Sequence, residues 1–150
     1  MFLRKFIFIL LITFFFGKNS LGKEYIFKWF NNVTVLDSLE FANKSKYQLT
    51  LAEGSWEDSD GNYGFLKCLG PIKIDPEGKA NLEVICKGSD HLENSFSIKL
   101  IRKSDYDVGV GETIYIYGTG RYKSLVDRKC KYAIKYIKEV TKGFYRHICK

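Results

Sequence analysis

Chemistry in this chain of 150 residues would have to come from four cysteines, two histidines and one dense run of acids. Cys68, Cys86, Cys130 and Cys149 lack the C-x2–4-C spacing of a zinc site. No evident general base is paired with any of them, as a thiolate nucleophile would need. His91 and His147 lie far apart, and spacing gives neither a catalytic partner nor a metal co-ligand. They read as surface or core side chains. Glu57-Asp58-Ser59-Asp60-Gly61-Asn62 opens like a calcium loop, but the distal glutamate of that loop is missing. Asp60-Gly61 is better explained as a hairpin turn. Gly109-x-Gly111 and Gly118-Thr119-Gly120 are not followed by the Lys-Ser/Thr of a phosphate loop, and read as corners where a strand bends. Neither a metal nor a cofactor is expected, and no residue is assigned a catalytic role.

The N-terminus sets the compartment. Arg4 and Lys5 precede residues 6–16, eleven residues with one threonine and no charge. A membrane-spanning helix needs roughly 20 apolar residues. Ser20 and Gly22 then supply small residues for cleavage before Lys23. Residues 1–22 therefore read as a signal peptide and residues 23–150 as one domain, which makes the protein secreted or periplasmic. Loss of Arg4, Lys5 and Lys18 lowers the formal charge from +7 to +4. Residues 121–150 carry +8 of this and residues 23–120 carry −4. A basic C-terminal segment on an acidic body reads first as a solvated basic face, with an anionic envelope surface of lipid or cell-wall polymer as the alternative; nucleic acid is not an expected partner of an exported chain.

In an exported chain an even number of cysteines forms a disulfide framework. Asp75-Pro76-Glu77-Gly78 has the residues of a hairpin turn, with Gly78 where a three-residue loop needs a left-handed residue. Counting outward from Glu77 places Asp75 opposite Lys79 and Cys68 opposite Cys86, within bridging distance. Cys130 and Cys149 are then left as the second pair, with Lys142-Gly143 as a turn between them.

The segments that carry these residues alternate as strands do. Residues 25–30, 47–52, 62–70 and 114–117 are aromatic or β-branched runs. Leu82, Val84 and Cys86 alternate with polar neighbours apart from Ile85, and Phe96, Ile98 and Leu100 alternate with Ser95, Ser97 and Lys99. Residues 129–138 fit a strand through Cys130, Tyr132, Ile134 and Tyr136. They also fit a helix face through Cys130, Ala133, Ile134 and Ile137; the strand is favoured. Asp37-Ser38-Leu39-Glu40 has the residues to cap a brief helical turn. The whole reads as all-β, a small antiparallel barrel or sandwich.

Two segments carry a family resemblance. Gly61-Asn62-Tyr63-Gly64-Phe65-Leu66-Lys67-Cys68-Leu69-Gly70-Pro71 resembles the allene oxide cyclase segment G-(D/N)-Y-G-x-(L/I)-x-x-x-G-P. Gly118-Thr119-Gly120-Arg121-Tyr122 resembles the late G-T-G-x-(F/Y) turn of dirigent proteins. Gly54-Ser55-Trp56 is similar to the G-x-W at the start of lipocalin barrels. The resemblance implies a calycin-like, eight-stranded antiparallel barrel of the allene oxide cyclase and dirigent superfamily, often a homo-oligomer. It covers about residues 47–137 and carries over no catalytic residue.

Three functions follow as expectations. The first is a non-enzymatic barrel that binds a small apolar or aromatic ligand, lined by Trp56, Tyr63, Phe65 and Tyr115, or that serves as a scaffold. The second is a cyclase, isomerase or dirigent-like activity resting on Glu53, Glu57 or Asp60. The third is an envelope interaction module using Lys129, Lys131, Lys135, Lys138, Lys142 and Arg146.

Overall fold

The computed structural model describes residues 24–137 and 141–149. The expected signal peptide at 1–22, and Lys138 of the basic segment, lie outside the described residues. Eight antiparallel strands form a closed barrel in which each pairs with its sequence neighbours. They are β1 (Tyr25–Glu40), β2 (Lys46–Asp58), β3 (Tyr63–Ile74), β4 (Lys79–Asp90), β5 (Ser95–Asp105), β6 (Val108–Gly118), β7 (Lys129–Ile137) and β8 (Lys142–Cys149). Pairing of Tyr25 with Cys149 through to Asn32 with Lys142 joins β1 to β8 and removes both sheet edges. A 3₁₀ turn, Gly120–Leu125, bridges β6 and β7.

One local device closes several hairpins. The Asp58 carboxylate accepts the backbone N–H groups of Asp60 and Asn62, both at 2.9 Å. Asp75 accepts those of Glu77 and Lys79, and Asp90 those of Leu92 and Asn94. In each loop the fourth residue has positive φ: Gly61, Gly78 and Glu93. Lys44 takes this role in the β1–β2 hairpin, where Phe41 N–H donates to the Ser45 carbonyl. Asp58-x-Asp60-Gly61 is thus a turn built on a carboxylate that already holds backbone and side-chain N–H groups. Among the described residues no group of three metal-ligating side chains occurs.

The β3–β4 register sets Asp75 opposite Lys79 and Cys68 opposite Cys86, as expected, and that disulfide forms. Cys130 and Cys149 form the second. Two disulfides indicate an oxidising compartment. Among the described residues no helix is long and apolar enough to cross a membrane.

Three local expectations need correction. Residues 37–40 extend β1 rather than turning into a helix, because Asp37 pairs with Leu49 and Leu39 with Tyr47 beyond a bulge at Leu36. Cross-strand pairing outweighs a single local cap. Lys142 and Gly143 open β8 instead of forming the turn. Gly109 and Gly111 lie within β6, not at a corner. Gly118 and Gly120 do flank a corner, between β6 and the 3₁₀ turn.

Candidate functional site

Strand alternation sends every second side chain inward, and aromatic rings fill one half of the barrel. Phe27 stacks on Trp56 at 5.0 Å, and Phe96 lies 5.5 Å from Trp56 and 5.9 Å from Tyr115 between ring centroids. Trp56 and Tyr115 are therefore core side chains, with Tyr122 closing the barrel end above them. Tyr63 and Phe65 face the other way. Leu66 and Cys68 occupy the inward phase of β3, which leaves Tyr63 60% and Phe65 50% exposed on the outer wall. Tyr63 stacks on His91 there at 4.4 Å. Neither lines the interior, a correction that follows from the phase of the strand.

The three acids proposed for catalysis also lie outside the barrel. Glu53 pairs with Lys67 and Glu57 with Lys28, while Asp60 is exposed in the β2–β3 hairpin. Among the described residues the buried carboxylate is Asp90. Burial raises its pKa, but hydrogen bonds from the Asn94 side chain, the Leu92 and Asn94 N–H groups and the Tyr122 hydroxyl outweigh this and lower it. It is a turn anchor, held ionised.

A chain of polar groups, Tyr115–His147–Thr113–Tyr145, lies in the core, with Tyr25 near it. His147 is fully buried, with Nε2 3.4 Å from the Tyr115 hydroxyl and Nδ1 3.3 Å from Thr113 Oγ1. Thr113 meets the Tyr145 hydroxyl at 2.7 Å, and Tyr25 donates to Asp58 at 3.2 Å. Burial lowers the His147 pKa to about 3 and raises those of Tyr25, Tyr115 and Tyr145. At neutral pH His147, Tyr25, Tyr115 and Tyr145 are uncharged and hydrogen-bonded, which satisfies these buried polar atoms.

Toward the opposite end lies a cavity of about 40 Å³, with Trp29, Asn31, Thr50, Arg102, Tyr132 and Tyr136 among its walls. Arg102 is only 1% exposed. Nη1 donates to the Ser104 hydroxyl at 3.1 Å and the Asp105 carbonyl at 2.8 Å, and Nη2 donates to the Tyr106 carbonyl at 3.1 Å. The sequence does carry a signal for this residue: Phe96, Ile98, Leu100 and Arg102 share one phase of β5. Asn31 follows Phe27 and Trp29 in the same way, and His147 sits between Tyr145 and Cys149.

The outer wall over β6, β7, β8 and β1 is basic. Lys129, Lys131 and Lys135 point outward from β7, and Lys142 and Arg146 from β8. The register interleaves them with apolar side chains: Lys135 pairs with Val108 and Phe144, Lys131 with Ile148, and Arg146 faces Ala133 and Lys28. Phe30 lies beside Phe144, 5.0 Å between centroids. Glu112, paired with Lys131 at 3.7 Å, is the acid on this wall among the described residues of β6, β7 and β8. Comparison with protein-family models, with curated proteins and with solved structures finds no match to this chain.

Proposed function

We propose that this protein is an exported, non-enzymatic barrel that serves as a rigid scaffold and engages an anionic envelope surface through its β7–β8 wall. The observation that carries the reading is the register that gathers Lys129, Lys131, Lys135, Lys142 and Arg146 on one wall, with Phe144 between them and Phe30 beside Phe144 on β1. Cations near an anionic bilayer contribute about 1 kcal/mol each, and exposed rings insert at the headgroup boundary. The filled interior favours a scaffold over an internal receptor for an aromatic ligand, since drug-sized ligands occupy roughly 300–1,000 Å³. Glu53, Glu57 and Asp60 face outward and lend a cyclase-type reading no interior acid. The closed eight-stranded meander and the glycine segments around Gly64 and Gly118 support kinship with the allene oxide cyclase and dirigent barrels. Self-association belongs to the same proposal, favoured by the outward cross-strand ladder Leu51, Leu69 and Ile85.

Vesicle co-sedimentation tests the reading. Binding to phosphatidylglycerol vesicles should exceed binding to phosphatidylcholine vesicles and fall steeply as salt shortens the screening length from about 30 Å at 0.01 M to about 3 Å at 1 M. The triple variant Lys129→Glu, Lys135→Glu, Lys142→Glu should weaken it by about two orders of magnitude or more. Equal binding to both vesicles, or none to either, would remove the proposal.

A further inference from the structure

We infer that the cavity beside Arg102 is a binding site for the carboxylate of an organic acid. The inference concerns the barrel interior and does not rest on the outer basic wall. Three buried polar atoms carry it: Arg102 Nε, Asn31 Nδ2 and Asn31 Oδ1 have no protein partner among the described residues. Both side chains line the same cavity. Buried polar atoms of this kind are nearly always hydrogen-bonded, so their concentration around one space marks what that space accepts.

The electrostatics give the sign. Arg102 is held by one hydroxyl and two carbonyl oxygens at the end of its own hairpin, and among the described residues no carboxylate pairs with it. The phenols around it do not supply an anion either, because burial raises the pKa values of Tyr132, Tyr136 and Tyr106 even against the opposing charge of Arg102. A guanidinium cannot shed its proton to escape burial as a lysine can. It therefore remains a fixed cation with two N–H groups to offer, the Nε–H and the second hydrogen of Nη2.

The geometry shows a built site. The Tyr136 ring lies under the guanidinium, 5.9 Å from Cζ to the centroid. A Cβ at Gly109 would collide with the Ser104 side chain and approach Arg102 Nη1 at 3.2 Å, while one at Gly111 would meet the Tyr132 ring at 2.5 Å. Two glycines of β6 thus clear the space that Arg102 and Tyr132 occupy. With both Nη1 hydrogens and one Nη2 hydrogen engaged, an incoming carboxylate takes the Nε–H from Arg102, with the second Nη2–H beside it, and an N–H from the Asn31 amide. Asn31 Oδ1 remains to accept from a hydroxyl, which favours a hydroxy acid over a plain one. A volume near 40 Å³ admits the carboxylate head and little else.

Two-dimensional ¹H–¹⁵N NMR of the folded, oxidised protein reads the site directly. Sodium acetate, glycolate and hexanoate are titrated at constant ionic strength against sodium chloride. Saturable shifts of the Arg102 Nε–H and Asn31 amide signals with the carboxylates support the proposal. Tighter binding of hexanoate than of acetate would assign a longer acid whose tail leaves the cavity; tighter binding of glycolate would assign a short hydroxy acid. Arg102→Lys should weaken binding about ten-fold or more, because a charge-assisted hydrogen bond is lost. If that variant does not fold, Asn31→Leu should weaken the same titration. Shifts that do not saturate, or a response to chloride equal to that to the carboxylates, would overturn it.

Discussion

Acidification should destabilise this barrel through His147, and the size of the effect follows from its surroundings. The ring is fully buried, stacked 4.6 Å from Phe27 and bonded to Tyr115 and Thr113, with no carboxylate in contact among the described residues. Burial lowers its pKa from 6.5 to about 3. The unfolded chain binds a proton below about pH 6.5 and the folded protein does not, so stability is complete above that pH and drains away as pH falls toward 3. Linkage gives a loss of about 2 kcal/mol between pH 7 and pH 5, with a limiting slope near 1.4 kcal/mol per pH unit. This window lies above the range in which Asp90, whose pKa is lowered, contributes. Urea unfolding at successive pH values measures the slope. His147→Phe keeps a ring against Phe27 and should flatten it; His91→Gln, which removes the other histidine, should leave it in place. A wild-type stability that is flat from pH 7 to pH 5, or a slope that survives His147→Phe, would refute the reasoning.

Glu93→Gly should stabilise the protein by up to about 1 kcal/mol, because a left-handed backbone costs a non-glycine residue roughly 1–2 kcal/mol and the added chain entropy offsets part of the gain. Thermal unfolding would then rise by a few degrees; a fall would count against the turn geometry. Removal of Cys130–Cys149 by paired alanine substitution should cost about 2–4 kcal/mol in urea unfolding. Gly111→Ala should cost roughly 1–3 kcal/mol, since its Cβ would stand 2.5 Å from the Ile101 carbonyl oxygen and the Tyr132 ring, and a neutral result would mean that β6 can move away.

Much of this architecture was legible where a local rule and the global pattern agree. The Asp75–Lys79 hairpin has glycine at its left-handed position, and counting from it reaches the Cys68–Cys86 pair correctly. The β1–β2 and β4–β5 hairpins hid because Lys44 and Glu93 occupy the equivalent positions. One trace was present: Asp90 and Asn94 repeat the spacing of Asp58 and Asn62. At residues 37–40 the cap chemistry was real, since Asp37 accepts the Ser38 N–H at 2.8 Å, yet pairing with β2 decided the conformation. Tyr63 and Phe65 were misplaced for want of phase. Aromatic character alone does not say which wall of a barrel a side chain joins, whereas Leu66 and Cys68 two apart do. Arg102 and Asn31 went unremarked because a polar residue in an apolar phase looks like the end of a pattern rather than its most informative member.

The alternation of β7 writes two codes at once. Cys130, Tyr132, Ile134 and Tyr136 specify the interior, while Lys129, Lys131 and Lys135 specify the outer wall. A slip of one residue against β8 would drive lysines into the core and turn a phenol-rich face to water, so the two codes share one register. The Cys130–Cys149 disulfide fixes that register at the open end of both strands, beside the pairing of Lys131 with Ile148. The bond therefore does more than restrict the unfolded chain. It holds Lys131, Lys135, Phe144 and Arg146 in the alternation on which the basic wall depends, and it also holds Tyr132 and Tyr136 against Arg102. Reduction should thus loosen the outer wall and the inner cavity together, although neither site contains a cysteine sulfur among its polar contacts.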